Sequence, residues 1–343
     1  CSVAFHCHFG SVVVCHCRVE AIGKFLVGNC RHFGRQLMEP PSSRSITIQP
    51  PGSPQWVHDA VVAGGGVIAQ PQHSTAAVWT AAKDVEGLRS LLRDHPHLEW
   101  VQVPFAGIEN FLPVIDDNRV WTCGKGVYAE PVAEHALGLA LAGMRNIADY
   151  GRATQWTGPV GRNLLGATVT IIGGGGITES LIRLLLPFHC TITVVRRNVE
   201  HIDGADTVVG QENLVDALVG ADVVFLALSL TADTQGLIGR PELEVMEPHA
   251  WIVNVARGGH IVTEDLVWAL ENNIIGGAAL DVTDPEPLPP SHPLWSLPNC
   301  IITPHVGNTP EMAIPLLSAR IQENVRRYMR DEELIGLVDV RHG

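Results

Sequence analysis

Residues 168–197, TVTIIGGGGITESLIRLLLPFHCTITVVRR, constrain the fold more than any other stretch of the chain. The run Val169-Thr170-Ile171-Ile172 is β-branched throughout and mostly apolar, and reads as a fully buried strand. Four glycines follow, Gly173 to Gly176, and then Ile177, Leu181, Leu184 and Leu185 recur at helical spacing. Thr191-Ile192-Thr193-Val194-Val195 closes the unit as a second strand. Strand, glycine turn, helix and strand in this phase predict the first βαβ unit of a dinucleotide-binding sheet.

The glycines suit a phosphate site. Gly173 lets the chain turn sharply off the strand, and Gly175 has no side chain to hold a pyrophosphate away from the backbone. Gly176 and Ile177 open a helix whose N-terminal N–H groups favour negative charge. The third glycine of G-x-G-x-x-G would be residue 178, where this chain has Thr178. Slightly wider helix–strand packing is expected there. At the end of the second strand, an NAD enzyme usually carries Asp or Glu for the ribose 2′-hydroxyl. Here the residues are Arg196 and Arg197. Their planar forks suit a 2′-phosphate, so NADP is expected in preference to NAD. Solvated loop arginines are the plain alternative.

A chain of 343 residues that is 46% hydrophobic predicts two domains, each with its own core. The formal charge of −13 argues against a nucleic-acid partner. No apolar run approaches the ~20 residues of a membrane-spanning helix. Five of the eight cysteines and four of the sixteen histidines fall within the first 32 residues. Only Cys123, Cys190 and Cys300 lie beyond them, so the body reads as a cytoplasmic protein in a reducing compartment. Residues 1–37 have no regular period. Their His6-Cys7-His8 and Cys15-His16-Cys17 runs match no common zinc spacing, and no metal is expected. No signal-peptide pattern is present there. The segment is expected to be non-native or disordered, ahead of a start at Met38.

From Ser45 onward, strand and helix patterns alternate. Strands are expected at 46–49, 76–79 and 98–103, and helices at 56–62 and 85–93. Such alternation implies a small parallel sheet covered on both faces. Ala106-Gly107-Ile108-Glu109 follows the third of these strands, and its backbone N–H groups suit either an anion or an ordinary turn. Gly124-Lys125-Gly126 reads as a hinge into the second domain. One long helix is expected from Pro131 to Tyr150, with an apolar segment. Further strands are expected at 223–228, 251–255, 275–280 and 301–303.

Several ordered motifs resemble the D-isomer-specific 2-hydroxyacid dehydrogenase family. They are Gly173–Ile177, Leu228-Ser229-Leu230-Thr231-Ala232-Asp233-Thr234, and Asn254-Val255-Ala256-Arg257-Gly258-Gly259. Ala279-Leu280-Asp281-Val282, Asp284-Pro285-Glu286-Pro287-Leu288-Pro289 and Thr303-Pro304-His305-Val306-Gly307 follow in the family's order and spacing. The resemblance covers about residues 45–330. It implies an α/β fold of two Rossmann-like or flavodoxin-like doubly wound parallel sheets with a cleft between them.

Reducing a 2-oxoacid takes a cation for the carboxylate and ketone, an acid for the developing alkoxide, and a partner that keeps the acid charged. Arginine, histidine and a carboxylate suit these tasks. By resemblance they are Arg257, His305 and Glu286. Substrate contacts are expected from Ala106, Gly107, Ile108 and Arg257. Cofactor contacts are expected from Gly173, Gly175, Gly176, Ile177, Arg196, Arg197, Leu228, Thr234, Val255, Ala256, Asp281 and Gly307.

The leading expectation is therefore an NAD(P)-dependent reductase of small 2-oxoacids such as glyoxylate or hydroxypyruvate. D-3-phosphoglycerate dehydrogenase is the rival enzyme, opposed by the paired arginines and by Val103-Pro104-Phe105, which offers no cation for a substrate phosphate. A nucleotide-sensing corepressor is the rival non-enzyme, opposed by the intact Arg257, Glu286 and His305 set. The expected organisation is a substrate domain of 38–122 plus 303–335 around a nucleotide domain of 123–302. The apolar face of a helix at 311–330, with Ile314, Leu317, Ile321 and Val325, would complete the first domain. A homodimer is expected through the long helix.

Overall fold

The computed structural model describes residues 44–338 apart from Ala106 and Glu109. The extension expected at 1–37 and the expected substrate contact Ala106 lie outside the described residues.

Two parallel sheets organise the chain. The smaller contains β1 (Ile46–Gln49), β2 (Ala76–Trp79), β3 (Trp100–Gln102) and β4 (Val120–Thr122), in that spatial order. A single parallel bridge from Ile46 to Ile68 adds a further edge segment outside β1. The resulting order, with the chain's second extended segment outside its first, is that of a flavodoxin-like sheet. Helices α1 (Gln55–Ala63) and α2 (Val85–Asp94) connect its strands.

Helix α3 (Ala129–Met144) and the short α4 (Ile147–Arg152) lead into the larger sheet. Its strands are β5 (Thr168–Ile172), β6 (Thr191–Val195), β7 (Thr207–Val209), β8 (Val223–Leu226), β9 (Trp251–Asn254), β10 (Gly277–Leu280) and β11 (Cys300–Ile302). The connecting helices are α5 (Gly176–Leu185), α6 (Leu214–Leu218), α7 (Arg240–Val245) and α8 (Thr263–Glu271). The spatial order β11-β10-β9-β8-β5-β6-β7 reverses direction between β5 and β8. That reversal is the switch point of a Rossmann sheet, where ligands bind outside the strands' carboxyl ends.

Strand residues alternate between two cores. Val169, Ile171, Val223, Phe225 and Val253 pack with Ala133, Ala136, Leu139, Leu181 and Leu185 of α3 and α5. Their neighbours Ile172, Val224, Leu226, Ile252 and Leu280 pack with Leu218, Leu243, Leu266 and Leu270 on the other face. Burial on both faces explains why these strands read as unbroken apolar runs.

The C-terminal helix α9 (Pro310–Met329) returns to the smaller sheet. Ile321, Val325 and Tyr328 join Ile46, Val57, Val61 and Trp100 in one buried cluster. The buried side chain of Asn324 adds polar ties, donating to Gln102 Oε1 at 2.9 Å and to the Ile335 carbonyl at 2.9 Å.

Several expected elements differ in detail. The single helix expected at 131–150 is two helices, because Asn146 takes a left-handed conformation with φ 54° between α3 and α4. Asparagine tolerates that region better than most residues. The apolar face of α3 is used inside the larger sheet's core, so it is not a free surface. On α9 the buried row is Ala313, Leu317, Ile321 and Val325, while Ile314 is exposed. The row starts one residue earlier than expected. Edge strand β7 has no counterpart among the expected strands; it is short and only partly buried, so it lacks an apolar run.

Candidate active site

One row of residues crosses the larger sheet at its carboxyl edge. Val195 pairs with Ile172, Ile172 with Leu226, Leu226 with Asn254, Asn254 with Leu280, and Leu280 with Ile302. Each sequence motif leaves the sheet within a few residues of this row. Neighbouring strands lie about 4.8 Å apart, so Arg257 after β9, Glu286 after β10 and His305 after β11 start from three adjacent strand ends.

The His305 and Glu286 side chains meet directly: His305 Nδ1 lies 2.7 Å from Glu286 Oε1. Both are about half exposed, at 51% and 43%. The contact uses Nδ1 and leaves Nε2 for a second partner. His305 itself holds a left-handed backbone with φ 54°. A residue with a Cβ adopts this only when its surroundings impose it. Here its N–H donates to the Asp281 carbonyl at 2.8 Å and the Thr303 carbonyl at 2.9 Å.

Asp281 is the buried centre of that loop. Its Oδ1 accepts from Thr303 Oγ1 at 2.6 Å and Val306 N at 2.9 Å, and its Oδ2 from Gly307 N at 2.9 Å. His135 Nε2 from α3 approaches Oδ1 at 3.2 Å and Thr303 Oγ1 at 3.0 Å. Burial alone would raise the Asp281 pKa. The hydrogen bonds from His135, Thr303, Val306 and Gly307 outweigh it and hold the carboxyl down to about 2.

The turn carrying Arg257 is braced from within. Buried Asn254 accepts from Ala256 N at 3.0 Å and donates to the Arg257 carbonyl at 2.9 Å. Arg257 Nη1 donates to the Ala256 carbonyl at 2.8 Å. Gly258 then passes so close to the β10 loop that a Cβ would stand 2.0 Å from the Thr283 carbonyl. The Arg257 turn and the segment leading to Glu286 thus pack backbone to backbone. Fully buried His260 places Nδ1 3.0 Å from the Thr234 carbonyl and Nε2 3.2 Å from the Leu228 carbonyl. Burial pushes its pKa below the ordinary histidine value.

The phosphate loop has the form a dinucleotide requires. Gly173 has φ 123°, and a Cβ there would stand 2.1 Å from the Ala227 carbonyl. Only glycine fits. Gly175 is exposed at the N-terminus of α5, and a Cβ there would have open space on all sides to 4 Å. Thr178 stands where the third glycine of the pattern would be, and its side chain is accommodated inside the core. It is fully buried and its hydroxyl donates to the Gly173 carbonyl at 3.0 Å, tying helix to turn. Arg196 is half-buried beside Gly174, and Arg197 is exposed. The open loop, the helix N-terminus and these cations fit a nicotinamide dinucleotide.

Other expected residues are placed variously. Leu228 is half-buried, and Val255 and Ala256 are buried at the carboxyl edge. Thr234 is buried, with Oγ1 accepting from Thr231 N at 2.8 Å and donating to the Ser229 carbonyl at 2.9 Å. Its hydroxyl closes its own loop. The Ile108 side chain lies in the smaller sheet's core, so only its backbone is available to a ligand. Gly107 is half-buried. Asn254 and Thr303 stand inside recognised motifs without an expected role, while His135 and His260 give no local signal. Among the described residues, no group of three His, Cys, Asp or Glu is placed to hold a metal ion.

Comparisons with known proteins identify the family and the fold. Residues 137–307 match the family description of the D-isomer specific 2-hydroxyacid dehydrogenase NAD binding domain. The chain is 30% identical over 272 residues to a glyoxylate/hydroxypyruvate reductase A of Klebsiella pneumoniae, covering 78% of this chain and 81% of that protein. It is 32% identical over 280 residues to a glyoxylate reductase of Thermofilum pendens, covering 75% and 82%. A D-isomer specific 2-hydroxyacid dehydrogenase from Xanthobacter autotrophicus Py2, solved with NADPH and MES, shares the fold. Its TM-score is 0.76 at 24% identity, over 87% of this chain and 99% of that one. The chain belongs to the D-isomer specific 2-hydroxyacid dehydrogenase family and is an NAD(P)-dependent oxidoreductase of small 2-oxoacids and D-2-hydroxyacids.

Proposed function

We propose that the chain reduces a glyoxylate- or hydroxypyruvate-type 2-oxoacid at the carboxyl edge of the larger sheet and prefers NADPH to NADH. The observation that carries this reading is the 2.7 Å contact between His305 and Glu286, one strand away from the turn bearing Arg257. When bound, the nicotinamide cofactor supplies the hydride. Arg257, permanently charged and planar, grips the substrate carboxylate and polarises the ketone. His305 donates a proton from Nε2 to the developing alkoxide. Glu286 accepts from Nδ1 at 2.7 Å, which fixes the ring's orientation and leaves Nε2 to face the substrate. The backbone at Gly107 and Ile108 completes the carboxylate site, and Arg196 and Arg197 bind the 2′-phosphate.

In this reading, 38–122 with 303–335 forms the substrate domain, 123–302 forms the nucleotide domain, and the substrate lies between them. Packing of α9 on α1 and β1 supports the discontinuous division. A homodimer is proposed on a different basis from the α3 helix face. Ile147, Tyr150, Trp156, Val160 and Leu165, all in or after α4, are exposed apolar residues in one stretch of chain. An isologous contact would cover them. Among the described residues no helix is long and apolar enough to cross a membrane. The free thiols of Cys190 and Cys300 suit a cytoplasmic location.

The test is steady-state turnover of glyoxylate, hydroxypyruvate, pyruvate and 3-phosphohydroxypyruvate with NADPH and NADH. The highest kcat/KM is expected for a small unphosphorylated acid with NADPH. Absence of turnover on all four acids would overturn the reading. Sedimentation at micromolar concentration tests the dimer, and a monomer would refute it.

A further inference from the structure

Gly174 occupies the free position between the first two glycines of the phosphate loop. Nothing in the nucleotide-binding pattern requires glycine there. Its φ lies outside the left-handed region, so its backbone conformation is open to any residue. The environment supplies a different reason. A Cβ on Gly174 would stand 2.5 Å from Arg196 Nε, 2.7 Å from its Cδ and 2.9 Å from its Cζ. All three nearest atoms belong to one side chain. The Arg196 guanidinium therefore lies folded against the loop, in the space that a residue 174 side chain would fill. The backbone of Arg196 is fixed at the end of β6, its N–H donating to the Val209 carbonyl at 3.0 Å. Only its side chain is left to move.

We propose that Gly174 is a cofactor-specificity residue. Its missing side chain lets Arg196 lie across the phosphate loop, and this posture aims the guanidinium at the 2′-phosphate of NADP. The proposal rests on the reading that Arg196 binds that phosphate, and it assigns the arginine's orientation to a second position. The alternative posture is an Arg196 side chain pushed out toward solvent, where charge remains but bidentate geometry is lost. Because the atoms that must give way are at the flexible end of one arginine, Gly174→Ala should fold with an unchanged melting temperature.

The experiment is calorimetric titration of 2′,5′-ADP and of 5′-AMP into wild type, Gly174→Ala, Arg196→Gln and the double variant. These probes report binding without turnover, and they differ only in the 2′-phosphate. Loss of a charge-assisted contact predicts at least about tenfold weaker 2′,5′-ADP binding in Arg196→Gln, with 5′-AMP unchanged. Gly174→Ala is expected to reproduce that selective loss, and the double variant to be no weaker than Arg196→Gln, since both act through one guanidinium. Equal weakening of both probes in Gly174→Ala would overturn the proposal, as would additive losses in the double variant or unchanged 2′,5′-ADP binding. If Arg196→Gln itself fails to discriminate the probes, the underlying reading of Arg196 falls, and the role of Gly174 falls with it.

Discussion

His135 of α3 and Thr303 after β11 are 168 residues apart in sequence, yet His135 Nε2 and Thr303 Oγ1 lie 3.0 Å apart. Both also reach Asp281 Oδ1, at 3.2 and 2.6 Å. A helix, a strand end and the loop bearing His305 are thereby fixed on one buried carboxylate. The imidazole that meets Glu286 is aimed by groups that need not touch a substrate.

Asp281→Asn should expose that dependence. An amide puts an NH2 group where either Gly307 N or the Thr303 and Val306 donors now find an acceptor. At least one buried donor then loses its partner, at about 1–3 kcal/mol. The loop moves, and a displacement near 1 Å at the acid costs on the order of 10²-fold in rate. The measurement is kcat together with thermal stability. A variant with wild-type kcat would show that the loop holds His305 without this carboxylate.

The same carboxyl predicts an acid-side loss of stability. Its folded pKa is about 2, against an ordinary aspartate value of 3.8. A depressed acid contributes stability above its unfolded pKa, and the contribution disappears as pH falls through the folded value. About 2 kcal/mol should therefore be present above pH ~4 and lost between pH ~4 and ~2. Urea midpoints at pH 5 and pH 3 check this. Wild type should lose more than Asp281→Asn over that interval, and equal losses would assign the acid sensitivity elsewhere.

Two adjacent glycines should respond oppositely to alanine. At Gly258 a Cβ would meet the Thr283 carbonyl carbon and oxygen at 2.0 Å, and these are backbone atoms. At Gly259 the nearest atom is Leu230 Cδ2 at 3.3 Å, the end of a side chain. Gly258→Ala should lose most activity and about 1–3 kcal/mol or more of stability, since overpacking forces backbone shifts. Gly259→Ala should stay near wild type in melting temperature. Equal melting temperatures for the two variants would refute the close approach.

Much of this architecture is legible in the sequence because buried parallel strands carry continuous apolar runs. Ile171, Val224 and Ile252 are enclosed on both faces and stand out in the sequence. Strand β7 at Thr207–Val209 is a short edge with exposed and half-exposed residues, so it leaves no such trace. The break at Asn146 is hidden because its neighbours on both sides keep helical composition. For the site, Arg257, Glu286 and His305 follow strand ends and sit in recognisable motifs. His135 and His260 cannot be read in the same way. Their roles arise from contacts with Thr303 and Leu228, which are set only when separate strands align.

The proposed proton chemistry is tested by three substitutions that should fail differently. His305→Ala removes the acid at Nε2. Positioned acid–base catalysis contributes about 10²–10⁴-fold, so kcat for 2-oxoacid reduction should fall by that order. NADPH affinity should persist, because the phosphate loop lies across the switch point from β11. Glu286→Gln can still accept a hydrogen bond from Nδ1 through its amide oxygen, so ring orientation is partly kept while the charge is lost. Its kcat should fall less than that of His305→Ala. Arg257→Lys keeps a charge but replaces a planar two-point grip with a single ammonium. It should raise the 2-oxoacid KM and lower kcat together, whereas His305→Ala acts mainly on kcat. Single-turnover reduction and separate NADPH titrations distinguish these patterns. Full activity in His305→Ala would remove the proposed acid, and a Glu286→Gln loss exceeding that of His305→Ala would mean Glu286 acts on the substrate rather than through the imidazole.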